Sequence, residues 1–156
     1  MERTFSTSWA ELALLVLPTF WLGLLVGVSF IATPVKFNAE SLTLPVALDV
    51  GRATFGFFNT IEWIAFGTLV VAVVFSGPLA FPSAMTALLG IILAAQTVWL
   101  LPALDERIAA IIAGQTVPRS IDHFIYIGLD VAKAASLVLI VRAQIVALLA
   151  AISKAV

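Results

Sequence analysis

The sequence predicts an all-α fold: an integral membrane four-helix bundle, antiparallel and up-down, with both ends of the bundle on the same side of the bilayer. Three observations carry this. Of 156 residues, 62% are hydrophobic and only 11% are charged, against about 45–50% and about 25% in soluble domains. So few charges cannot keep a soluble surface wet, whereas hydrocarbon accepts apolar side chains on the outside of a bundle as readily as in its core. There is no charge from Leu12 to Val35, and none between Glu62 and Asp105. The second run is too long for one span, and the turn-rich stretch from Ser76 to Ser83, with Gly77, Pro78 and Pro82, divides it into two.

The first helix is expected over 9–33. Ser8 is its N-cap, Trp9 sits at the interface and Glu11 lies near the positive helix end. Pro18 predicts a mild kink, and Thr33-Pro34 ends the span, because the residue before proline is biased away from helix. This apolar run exceeds a signal-peptide core and reads as a membrane helix. The second helix, over 45–75, opens at Thr43-Leu44-Pro45, with proline in the first turn and an interfacial lead-in as far as Arg52. The third is expected over 83–102, closed by Pro102, and is followed by a polar loop with a short helix over 105–113. The fourth, over 121–152, would be about 45–48 Å long, more than the roughly 30 Å of hydrocarbon, so it tilts or protrudes. Basic residues fall on both faces (Arg3, Arg142 and Lys154 against Lys36, Arg52, Arg107 and Arg119), and the positive-inside rule does not orient the bundle.

Composition also excludes functions. A net charge of −1 gives no basic field for nucleic acid. The absence of cysteine excludes disulfides, thiolate metal sites and cysteine nucleophiles. No glycine-rich phosphate loop, G-x-S-x-G elbow or zinc-spaced ligand set is present, so neither a catalytic residue nor a metal site is assigned.

The candidate chemistry lies in the polar residues at membrane depth. Arg52, Asn59 and Glu62 share one face of helix two, and His123, Tyr126, Asp130 and Lys133 one face of helix four. Glu62 and Asp130–Lys133 fall about 13–18 Å in from the loop side. An unpaired charge there costs at least about 2.5–3.5 kcal/mol. Pairing Glu62 with Lys133, with Asp130 or Asn59 completing the hydrogen bonds, offsets that cost and predicts that helices two and four touch. The cluster reads as a proton or ion relay, a pocket for a head group or cofactor, or an ion pair that fixes register. A fourth reading slides helix four outward, so that Asp130 and Lys133 snorkel. His123 is either a ligand or an interfacial cap beside Asp122, and as an imidazole it is a candidate to donate protons into the stripe. Thr19, Gly23 and Gly27 form a small-xxx-small face on helix one, expected to pack within the bundle rather than to dimerise. The aromatics Phe55, Phe57, Phe58, Trp63 and Phe66 could stack on a quinone or similar ring, although interface anchoring accounts for them equally.

Several short motifs carry a resemblance. They are Trp21-Leu22-Gly23, Ile31-Ala32-Thr33-Pro34-Val35-Lys36-Phe37, Val50-Gly51-Arg52-Ala53-Thr54-Phe55-Gly56, Leu101-Pro102-Ala103-Leu104-Asp105-Glu106-Arg107 and Asp122-His123. In these the chain resembles the small four-helix membrane proteins of the transmembrane protein 205-like group, a domain of unknown function. The resemblance implies a four-helix bundle and no established catalytic residues. A weaker likeness, through His123 and Lys133, is to haem-associated small membrane oxidases, but the chain's single histidine cannot supply bis-histidine ligation. The expectation is a non-catalytic accessory subunit, in contact with the lipid bilayer and with other membrane subunits or itself, and without a cofactor. The alternative is an oxidoreductase or proton-coupled carrier using the cluster to bind haem, quinone or protons.

Overall fold

A computed structural model describes residues 8–77 and 79–155. These form four helices, each long and apolar enough to cross a membrane: α1 (Trp9–Asn38), α2 (Leu44–Phe75), α3 (Ala80–Ile112) and α4 (Asp122–Ala155). α1 starts at a capping box. The Ser8 hydroxyl accepts from the Glu11 N–H at 3.2 Å, and the Glu11 carboxylate accepts from the Ser8 N–H at 2.8 Å. The helix then runs through Pro18 to Leu25 without a break. Gly77, at φ 82°, makes the tight turn between α2 and α3, and Gly114, at φ 75°, stops α3, each in the left-handed region that glycine enters without a Cβ penalty.

Pro34 and Pro102 do not end their helices, contrary to expectation. In α1, Val26–Ala32 widens into a π-helix, Thr33–Val35 returns to α and Lys36–Asn38 closes as a 3₁₀ turn. In α3, Gln96–Leu100 is π-helical, and Leu101–Ile112 resumes as α. Each proline falls in the first turn of the α segment that follows the wide turn. Its missing N–H matters least there, so both helices gain length. The short helix expected over 105–113 is the continuation of α3.

Each helix packs along its sequence neighbours, and α1 also packs along α4, which closes the ring. α2 and α4 are parallel and stand at opposite corners. They do not lie side by side as expected, and they meet through long side chains that cross the centre. The rings of Trp9 and Phe75 lie 5.5 Å apart, and the rings of Phe55 and Tyr126 5.4 Å apart, which fixes the register of α1 on α2 and of α2 on α4. In that register Phe75 is level with Val146, so the last residues of α4 extend about 13 Å beyond the ends of its neighbours. The core includes Leu14, Trp21, Leu25, Leu69, Leu89, Leu137 and Ile140, all essentially inaccessible. The outside is also apolar: Phe20, Phe57, Ile91 and Val98 are each more than 60% exposed. A surface of this kind suits lipid, and the chain is a multi-pass membrane protein.

Candidate functional site

All four helices send a polar side chain to one point on the bundle axis. Lys133 of α4 donates to Glu62 Oε1 of α2 at 2.6 Å and lies 3.0 Å from Asp130 Oδ1, one turn away on its own helix. Trp21 of α1 donates its indole N–H to the same Glu62 Oε1 at 3.0 Å. Gln96 of α3 donates its amide to Asp130 Oδ1 at 2.9 Å. Trp21, Glu62, Gln96, Asp130 and Lys133 are each no more than 1% exposed.

The nearest charged positions along the helices bound the cluster on both sides. On the loop side these are Lys36, Arg52, Asp105 and Asp122; on the other they are Glu11 and Arg142. Lys36 lies fifteen residues from Trp21, and the others eight to ten from the nearest cluster member on their helix, which is about 12–15 Å. The cluster therefore sits at the middle of the roughly 30 Å hydrocarbon layer, where an uncompensated charge is most costly.

Its charge does not balance. Two carboxyl groups face one ammonium group, and the neighbours supplied by α1 and α3, Trp21 and Gln96, do not titrate. Glu62 Oε1 takes both hydrogen bonds, while buried Glu62 Oε2 has no partner among the described residues; the same holds for Gln96 Oε1. Such acceptors are costly when left dry, so the arrangement has capacity for a proton or a donor water on the glutamate.

The sequence-predicted residues divide between this cluster and other places. Glu62, Asp130 and Lys133 meet, with Asp130 in the completing role, and neither acid nor lysine snorkels. Tyr126 is buried one turn below, its hydroxyl without a partner among the described residues. Asn59 does not join them. It bonds Thr97 at 2.9 Å, which also receives the Trp63 indole N–H at 2.9 Å, forming a neutral cluster between α2 and α3. Arg52 pairs with Asp49 at 2.6 Å on the surface. His123 is exposed, with its ring near that of Phe124, so it neither enters the stripe nor offers a buried axial ligand for haem. The aromatics of α2 divide: Phe55, Phe58 and Phe66 face the core, Phe57 is exposed and the Trp63 ring packs against Phe66. Thr19 lines a groove with Val138 and Arg142 of α4, whereas nothing lies within 4 Å of a Cβ built on Gly23 or Gly27 among the described residues.

Sequence reasoning missed Trp21 and Gln96. Gln96 had a signal: it is the only side-chain amide in the uncharged run between Glu62 and Asp105. Trp21 had only its depth, well inside the uncharged run from Leu12 to Val35, and a neutral ring there gives no sign of which way it faces. No family model, curated protein or solved structure matches the chain.

Proposed function

We propose that this protein is a proton-coupled membrane carrier, with Glu62, Asp130 and Lys133 taking up and releasing one proton at the centre of the bundle. The supporting observation is two carboxyl groups against one ammonium group at the bilayer midplane, with Glu62 Oε2 left without a partner among the described residues. One proton removes the excess negative charge, whose cost at that depth is at least about 2.5–3.5 kcal/mol. Lys133 holds both carboxyl groups within reach of each other. Trp21 and Gln96 fix one oxygen of each, so protonation changes charge without rebuilding the site.

Infrared difference spectra of the reconstituted protein across a pH step test this. A carbonyl band of a protonated carboxyl group is expected, lost or shifted in Glu62→Gln or Asp130→Asn. If neither substitution alters the spectrum at any pH where the protein stays folded, the proposal fails.

A second reading, a non-catalytic accessory subunit packing beside other membrane subunits or a second copy, is favoured by one observation. Gly23 and Gly27 have no neighbour from another helix within 4 Å of a built Cβ among the described residues, and small residues let a foreign helix approach closely. Under that reading Gly23→Leu releases a partner that otherwise copurifies in mild detergent. A protein that runs alone with or without the substitution removes it.

A further inference from the structure

The bundle differs on the two sides of the cluster. On the terminal side, where α1 begins and α4 ends, each helix places a bulky aliphatic side chain seven residues from its central polar one. Leu14 lies that far from Trp21, Leu69 from Glu62, Leu89 from Gln96 and Ile140 from Lys133. All four are fully buried. Seven residues is two helical turns, so the four form one layer about 10 Å from the cluster. Between layer and cluster, the Ser136 hydroxyl is spent on the Ala132 carbonyl of its own helix at 2.9 Å, and Leu93 and Leu137 are fully buried. The Thr86 hydroxyl, without a partner among the described residues, lies beyond the layer, three residues past Leu89.

The loop-side half also holds fully buried leucines one turn from the cluster, Leu25 and Leu100, but on α4 it differs at the same spacing. Seven residues from Lys133 stands Tyr126, buried, with no partner for its hydroxyl among the described residues. Its side chain leans toward the start of α4, and so toward the loop face. Ser29, eight residues from Trp21, also carries a buried hydroxyl without a partner among the described residues. Both π-helical segments, Val26–Ala32 and Gln96–Leu100, lie in this half. Wide turns of this type recur at functional sites. Buried hydroxyls without protein partners are where internal water is held. Together with Gln96 Oε1 they place buried polar atoms at the level of the cluster and again about 10–12 Å from it on the loop side.

From this contrast we infer that the central cluster exchanges water and protons with the loop-side face alone, and that the Leu14–Leu69–Leu89–Ile140 layer seals it from the other face. The inference deepens the proton-binding reading and rests on it for the proton. The path for water is a separate physical claim and is tested separately. In this geometry protons enter and leave the cluster by the same door. Passage across the membrane then requires the leucine layer to open, and a protein that keeps it shut binds protons without conducting them.

The chain has no cysteine, so single-cysteine variants need no background removed. Ser29→Cys, Tyr126→Cys, Leu69→Cys and Leu89→Cys are placed in vesicles, and a charged, membrane-impermeant thiol reagent is applied to each face in turn. Gln115→Cys, in the loop after α3, marks the loop face. Ser29→Cys and Tyr126→Cys are expected to react from the loop face on the order of tenfold faster than from the other, and the two leucine positions from neither, since reaction needs a hydrated thiolate. Ser29→Cys changes one atom and carries the test if Tyr126→Cys does not fold. Labelling of Leu69→Cys or Leu89→Cys from the terminal face overturns the inference, as does silence of Ser29→Cys from both. Loop-face labelling combined with pH-insensitive infrared spectra would leave the water path standing and remove the proton carrier.

Discussion

Two ion pairs in this molecule have the same length and different settings. Lys133–Glu62 and Arg52–Asp49 both close at 2.6 Å. The first pair's side chains are fully buried at mid-membrane; those of the second are 40% and 55% exposed at the loop face. Distance therefore says little about what either pair does. In water the surface partners lose little on separation, because solvent replaces each for the other. In the bundle nothing replaces Lys133, so its removal leaves two acids in hydrocarbon. The buried pair adds little net attraction over an apolar core, yet breaking it is severe.

That contrast can be tested at several strengths. Lys133→Met should be the most damaging single substitution of the three considered, lowering stability by about 3–5 kcal/mol, read as loss of the folded fraction in denaturant titrations in detergent. Adding Glu62→Met and Asp130→Leu to Lys133→Met should restore part of that loss, the remainder being the Trp21 indole N–H and the Gln96 amide left without acceptors. Further substitution of Trp21→Phe and Gln96→Leu should recover more; if neither step improves on the single variant, stranded charge is not the source of the cost. Thr97→Val should cost about 1–3 kcal/mol, because it strands the Asn59 amide and the Trp63 indole N–H without putting a charge in lipid. Arg52→Gln should change stability by less than about 1 kcal/mol, and less again at high salt, which screens exposed charges. A salt dependence of the Lys133→Met penalty as steep as that of Arg52→Gln would mean that water reaches the cluster freely.

The sequence was most informative where charge met hydrocarbon. Glu62, Asp130 and Lys133 are conspicuous because their side chains have so few permitted positions in a bilayer, and opposite signs at equal depth point to pairing, with snorkelling as the competing arrangement. The same logic misjudged the backbones. It placed α2 and α4 side by side, whereas a lysine and a glutamate are long enough to meet across a bundle from opposite corners. Arg52 and His123 fall on the predicted stripes by helical angle, but angle does not say whether another helix covers a position, and near the loop face neither is covered. Trp21 and Gln96 stayed hidden because neutral side chains carry no penalty that fixes their direction. The wide turns at Val26–Ala32 and Gln96–Leu100 add to the difficulty, since a periodicity of 3.6 does not continue through them. Both prolines looked like stops for the same reason: the turn that accommodates them leaves no mark of its own in composition.

The overhang of α4 bears on how the whole bundle stands. Leu149 and Ile152 are 60% and 44% exposed, and they lie beyond the level at which Trp9 and Phe75 meet. A greasy mast cannot stand upright in water; it settles obliquely among head groups, and the three shorter helices lean with it. The lean grows as the surrounding membrane thins, so the angle of this bundle is a gauge of the thickness of its host.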